Sequence, residues 1–339
     1  MATGLQTDFV IYQDEFNTGM TEVMQQESNV FNSQSGGGIT LTTKFHEGHY
    51  SSEAMFAAIA SSALASRRVA GVGAVADTAM TQIENTQVKV DRKIGPIAQT
   101  LDSFRKINKD PRVMSYILGQ QYGKAVLLEQ LNTGIAAGAA AFGQDLAVGT
   151  GATGNTGVIG TVQVSTDTMS HTALTRGIGA FGDQSSRVKA FVMHSKVYFD
   201  LMRQAIADNV YQVAGATIYQ GTIASLNRPV VVTDSASLIS VGTGVGGIDE
   251  YQTLCLTPEA ITIRESEERE IVSDIITGLD NLVLRYQGEY AYTVGLKGYT
   301  WDQSNGGINP TDAALKLATN WDKTATDDKS LGGSRILSA

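Results

Sequence analysis

Residues 110–142 read DPRVMSYILGQQYGKAVLLEQLNTGIAAGAAAF, and this stretch decides the fold. Asp110 can cap the free N–H groups at a helix start, and Pro111 suits the first helical position, where its missing N–H costs nothing. Met114, Ile117, Leu118, Val126, Leu128, Leu131 and Ile135 then keep one apolar stripe to about Phe142. At ~1.5 Å per residue such a helix is about 50 Å long. That is long for a globular domain, and no heptad with charged flanks supports a coiled coil.

On the N-terminal side, Phe16, Met20, Val23, Met24 and Phe31 recur at helical spacing, so 14–31 reads as a thin amphipathic helix ended by Ser35-Gly36-Gly37-Gly38. Ile39–Phe45 reads as a strand and Ser52–Ala65, rich in alanine, as a helix. Arg67-Arg68 and a glycine-bearing stretch to Ala76 follow, and Val88–Ile97 is a second strand. If the two strands pair, the long excursion between them projects from the body.

On the C-terminal side, Gly143–Gly160 reads as a loop. His171–Phe181 and Ser195–Asp208 read as helices, and Val188–Met193, Pro229–Asp234 and Leu254–Leu256 as buried strands. Residues 143–258 thus alternate helix and strand, as a compact α/β unit does. Ile261–Arg264, Ile271–Ile276, Leu282–Tyr286 and Tyr290–Leu296 are β-branched and aromatic, the signature of four successive long strands. Asn309-Pro310 starts one short helix, and Thr324–Ala339, small and polar, reads as a tail pinned only by contacts. The fold class is α+β. No internal repeat and no low-complexity tract interrupts it.

Bulk properties exclude several classes. The chain has 339 residues, 42% hydrophobic and 17% charged, with net charge −9. Low charge with abundant Gly, Ala, Ser and Thr suggests surface that ends against other protein. No block of Lys and Arg exists, so tight binding of nucleic acid through phosphates is not expected; a container that only confines DNA needs none. The single cysteine, Cys255, permits no intrachain disulfide and reads as a core residue. Residues 1–15 show no secretory signal, and no run of about 20 apolar residues suggests a membrane span. A cytosolic setting and no membrane partner are expected.

The chemical motifs fail on context. Gly149/Gly151/Gly154 and Gly242/Gly244/Gly247 match G-x-G-x-x-G, but neither opens a helix, so both read as flexible loops. Gly119–Lys124 (GQQYGK) imitates a phosphate loop but is one residue short, lacks the magnesium-binding hydroxyl and lies inside the long helix. His46-Glu47-Gly48-His49 spaces its histidines three apart rather than four, beside a glycine, and reads as a polar turn rather than a zinc site. His194-Ser195 has no nucleophile elbow around it, and Ser195 reads as a helix N-cap. Arg264 to Glu270 is a mixed charge run, a solvated face or a contact between subunits. No catalytic, cofactor or metal residues are expected, and no enzyme.

Order then becomes the main signal. The chain resembles the major capsid proteins of tailed bacteriophages, with the Hong Kong ninety-seven type fold. Three regions carry the likeness: Val88–Thr100 (VKVDRKIGPIAQT); Phe191–Met202 (FVMHSKVYFDLM) with Asn227–Asp234 (NRPVVVTD); and Gly295–Asp302 (GLKGYTWD) with Asn305–Asp328. The resemblance implies an N-terminal arm over 1–38 and an extended loop with flanking strands over 39–109. It implies a spine helix over 110–142, an axial domain over 143–258, long peripheral strands over 259–303 and a C-terminal helix and tail over 304–339. The arm would lap onto neighbours and the extended loop would lie over an adjacent subunit.

It further implies self-assembly into hexamers and pentamers forming an icosahedral head around double-stranded DNA, built in the bacterial cytoplasm and kept in the virion. Portal and decoration or cement proteins are implied partners. A separate scaffolding protein is expected because Met1 leads almost directly into the arm. Arg67 and Arg68, near the loop tip, are expected to meet a neighbour's Glu267 and Glu268. The alternatives are an encapsulin-like shell around an enzyme cargo and, far behind, a cytosolic hydrolase.

Overall fold

Helix α1 (Gln6–Gln34) ends in the Ser35–Gly38 turn, where Gly36 and Gly37 take positive φ, a region an L side chain avoids. The structure is a computed structural model that describes all residues except 1–5, 57–66, 69–70, 72, 74–76, 107–110, 150–167, 212–225, 227, 242–246, 279 and 326. Strands β1 (Ile39–Thr43), β2 (Tyr50–Phe56) and β3 (Gln82–Thr100) lead through helix α2 (Leu101–Lys106) into the long helix α3 (Pro111–Asp145). Next come β4 (Ala147–Gly149), α4 (His171–Gly179), β5 (Ala190–Met193), α5 (Ser195–Tyr211), β6 (Val230–Val232), β7 (Ile239–Ser240) and β8 (Glu250–Leu256). The chain closes with β9 (Ile261–Glu265), β10 (Glu270–Ile276), β11 (Val283–Leu296), β12 (Tyr299–Trp301), α6 (Gln303–Gly306), α7 (Asp312–Leu315), β13 (Trp321–Lys323) and β14 (Gly333–Ser338).

The first sheet runs β1-β9-β11-β3-β2, with β10 on β11. Its backbone is the antiparallel pair β3 and β11, which stays in register from Val283 opposite Thr100 to Val294 opposite Val88, apart from one bulge at Tyr286/Gly288. Helices α1 and α3 lie against this sheet. Phe16 of α1, fully buried, stacks on Tyr286 of β11 at 5.0 Å and tilts against Tyr122 of α3 at 5.4 Å. Burying such a ring is worth about 2–3 kcal/mol. Close approach of the two helices depends on missing side chains. A Cβ at Gly119 would lie 2.2 Å from the Phe16 carbonyl oxygen, and one at Gly19 2.5 Å from that of Tyr116. About four turns on, Gly134 lets α3 sit on Ile263 of β9. By length and mean hydropathy α3 could cross a bilayer, but 67% of its most apolar window is buried inside this fold, which makes it a core helix.

The second sheet runs β4-β14-β8-β5-β6, with β7 on β8. Phe191, Val192, Leu254, Cys255, Leu256 and Ile336 are all fully buried in it. Against β3 and β11 of the first sheet a small knot forms where β12 pairs with β13. Trp301 and Trp321 meet edge to face at 4.9 Å, and their indole N–H groups donate to the carbonyls of Gly307 and Leu315, both at 3.1 Å.

Several expectations change. Residues 52–56 are strand, not helix: pairing with β3 from Tyr50/Val88 to Phe56/Gln82 overrides the helix preference of the alanine-rich segment. The rest of that expected helix lies outside the described residues. Strand β1 does not pair with β3; it runs parallel to β9, and β2 forms the hairpin with β3. The runs 282–286 and 290–296 are one strand, since the bulge lets β11 continue. Residues 333–338 are not a tail but an interior strand. The helix expected at Asn309-Pro310 begins at Asp312, capped by Thr311, whose hydroxyl accepts from Ala314 N–H at 3.2 Å. The N-terminal helix is longer than expected, and from Phe16 to Met24 it is packed on the chain's own α3 and first sheet.

Candidate assembly surfaces

Beyond Glu53 and Asn85 the hairpin pairs with no third strand among the described residues, and Ala54, Phe56, Gln82 and Glu84 are exposed on it. A two-stranded ribbon alone is marginal in water. It nonetheless carries large apolar groups outward: Phe56 and Met80 are each 59% exposed. Arg67 and Arg68, on the connection across its end, are exposed and have no partner among the described residues.

Where the ribbon joins the body, charges on it meet charges beneath it. Lys89 of β3, whose side chain is almost fully buried, donates to Glu267 in the β9–β10 turn. Glu53 of β2 takes Lys44 at 2.8 Å and Arg264 of β9 at 3.5 Å. The hydrogen bond and charge of Lys44, with help from Arg264, hold the Glu53 carboxyl below its usual range. His46 sits beside this group, and burial pushes its imidazole below the ordinary value. Glu267 thus has an intrachain partner that the sequence did not indicate. Glu268 is exposed and has no partner among the described residues. It stands on the rim of a 500 Å³ groove floored by Met20 and Met24 of α1, Leu41 of β1, Leu127 of α3 and Ile263 of β9. Within one chain no ion pair among the described residues joins Arg67 or Arg68 to either glutamate.

A polar cluster fixes the spine to the sheet. The Glu129 carboxylate on α3 accepts from Tyr290 at 2.9 Å and Tyr292 at 2.8 Å, and pairs with Arg92 of β3 at 2.9 Å. Arg92 also reaches Asp312 of α7. Burial, then the charge of Glu129, raises both tyrosine hydroxyls above their ordinary range, so they stay donors. The sequence missed this cluster because its members are far apart in the chain.

The motif residues occupy plain structural roles. Gly119 and Gly123 of GQQYGK pack against Phe16 and Met20 of α1. His194, not Ser195, caps α5: its Nδ1 accepts from Lys196 N–H at 3.2 Å, while Nε2 lies 3.6 Å from Asp234. A ring whose Nδ1 already accepts from the helix backbone is not placed to activate the neighbouring hydroxyl. Cys255 is fully buried, and burial pushes its thiol up to about 12, which makes it inert. His46 and His49 belong to an irregular turn, and no cluster of metal-ligating side chains occurs among the described residues. Gly151, Gly154, Gly242 and Gly244 lie outside the described residues.

The architecture is shared with phage shells. The chain superposes on a subunit of the cyanophage Pam1 capsid with a TM-score of 0.57 at 10% identity, over 91% of both chains. It superposes on the capsid of Ralstonia phage GP4 at 0.51 and 13% identity, over 91% of this chain and 90% of that one. The fold class is therefore the mixed helix-and-sheet fold of tailed-phage capsid subunits, as the resemblance implied. No curated protein matches the sequence. The profile of the Gp13-like family, described as major capsid protein 13-like, matches residues 8–335, and the chain belongs to that family of major capsid proteins. It is a capsid-forming protein of the virion, and its partner is itself.

Proposed function

We propose that copies of this chain tile a closed icosahedral head as hexamers and pentamers around phage double-stranded DNA, with no catalytic step of their own. The observation that carries this reading is the exposed ribbon of β2 and β3. Its exposed apolar Phe56 and Met80, with Arg67 and Arg68 lacking a partner among the described residues, support a contact with a second subunit. Head-to-tail contacts of this kind close into rings, and rings can tile a shell.

In this reading the first sheet, its hairpin and α3 form the peripheral part, and the second sheet forms the axial part. The N-terminal residues before the packed part of α1 lap onto neighbours. Arg67 and Arg68 face the neighbour's acidic surface at Glu268 first, since Glu267 is already shared with its own Lys89. A net charge of −9 without a basic block fits a wall that confines DNA without gripping it. Assembly in the host cytoplasm with a separate scaffolding protein, a portal and decoration or cement proteins completes the picture.

Negative-stain microscopy of the purified chain tests it. Closed hollow particles, or rings of five and six, are expected; a monodisperse monomer at high concentration contradicts it. Charge reversal at Arg67 and Arg68 together is expected to cut particle yield while leaving the melting point of the isolated chain unchanged. Normal yield removes the proposed pairing.

A further inference from the structure

Strand β14 joins the two halves of the molecule. Among the described residues β4 pairs with β14 alone, so the segment that leaves the end of α3 reaches the second sheet only through residues 335–337. On its other side β14 pairs with β8 along its whole length, Gly333 opposite Leu256 to Ser338 opposite Tyr251. Its side chains extend the connection. The Arg335 guanidinium, largely buried, donates to the carbonyls of Ala139 at 3.3 Å and Gly143 at 3.4 Å in the last turns of α3, and the Gly143 carbonyl is among the final four that lack a helical partner. Gly143 must be glycine for this, since a Cβ there would overlap the guanidinium at 2.0 Å. The Ser334 hydroxyl donates to Gly177 of α4 at 2.8 Å, and Ile336 fills the space above Gly177.

The order of synthesis gives this placement a consequence. Every strand of the first sheet lies within residues 39–296, so that sheet can form before β14 exists. The second sheet cannot: its interior position is filled by residues 333–338, which follow every strand of the first sheet. Until then β4 and the facing edge of β8 are unpaired, and the C-terminal end of α3 is uncapped. Chains fold progressively as they emerge, and non-local strand pairing is the slow step.

We propose that residues 333–338 are a closing strand that licenses assembly. Before they insert, the chain holds its first sheet but lacks the fixed relation between the two sheets that a repeating shell contact requires. Incomplete chains are thereby kept out of the growing shell. The inference rests on the tiling reading above, but amide protection reports on the strand and particle yield on the tiling, so the two can fail separately.

The test uses the full-length chain. In pulsed hydrogen exchange during refolding, amides of β8 and β14 are expected to gain protection after those of β3 and β11. The Ile336→Asp chain is expected to keep β3 and β11 protected while its particle yield falls roughly tenfold or more, the effect of an uncompensated carboxylate in a fully buried strand. Arg335→Gln, which keeps the strand but weakens the helix cap, should give an intermediate yield. Three results overturn the proposal: β8 and β14 protected together with or before β3 and β11; Ile336→Asp particles at the unsubstituted yield; or loss of β3 and β11 protection in Ile336→Asp, which would make the sheets one folding unit. If the unsubstituted chain forms no particles, tiling fails and the exchange order still decides the strand.

Discussion

Strand β3 lives in two environments. From Val88 to Ile94 its inward residues are buried and it pairs along its length with β11, and Val88 and Val90 have no exposure at all. From Gln82 to Asn85 the same strand pairs, among the described residues, only with β2, and Gln82 and Glu84 are exposed while Ile83 and Asn85 are half-buried. One continuous strand is thus stabilised by its own fold at one end and left to a neighbour at the other. The inner part should behave as a core strand under every condition, and the outer part only in the shell.

Substitutions should separate the two ends, the core first. Phe16→Ala removes a ring packed between Tyr286 and Tyr122 and is expected to cost about 3–5 kcal/mol in urea unfolding of the isolated chain. Phe56→Ser, at the outer end, should change that unfolding by less than about 0.5 kcal/mol, as exposed sites do, and should instead lower particle yield. If both variants lose similar stability as isolated chains, the contrast is wrong.

The junction between the two environments should show a smaller effect. Glu267→Gln leaves the nearly buried Lys89 ammonium without its carboxylate. Because Glu267 is itself 55% exposed, the expected loss is about 1–2 kcal/mol, below the range for fully buried pairs. Exchange at the hairpin base should accelerate, which amide labelling of 86–90 would read directly.

Alkaline pH sharpens the picture of the buried body further. Burial raises the Cys255 thiol from 9.0 to about 12, and it raises the hydroxyls of Tyr290, Tyr292 and Tyr299 above their ordinary 10.0. A raised folded-state value means that the unfolded chain loses these protons first. Their contribution to stability is therefore complete below about pH 9 and declines as pH rises beyond it. The urea midpoint should be flat from pH 7 to 8.5 and fall from 9 to 11. A midpoint that stays flat over that range would show these groups to be open to solvent, with the same proton affinity folded and unfolded.

Much of this was legible in the sequence, for physical reasons that also explain the rest. The stripe from Met114 to Ile135 and the β-branched runs from Ile261 to Leu296 announce themselves because periodicity and propensity agree. Residues 52–56 do not, because YSSEAMF becomes strand only through β3, some thirty residues further on. Strand β14 was read as a tail because Gly333, Ser334 and Ser338 are small and polar. They are nevertheless buried, where close packing between β4 and β8 favours small residues and neighbouring backbone can satisfy hydroxyls such as that of Ser334. At the candidate contact surface the charges of 264–270 stood out, but their division did not. That Glu267 belongs to Lys89 and Glu268 faces outward depends on a pairing 178 residues apart.

Hydrogen exchange of residues 53–56 and 82–85, compared between the isolated chain and assembled particles, is the most direct test that this subunit is incomplete alone. The outer ribbon should exchange rapidly in the isolated chain and be protected in particles, with Val88–Ile94 slow in both. Equal protection of the outer ribbon in the two states would contradict the account.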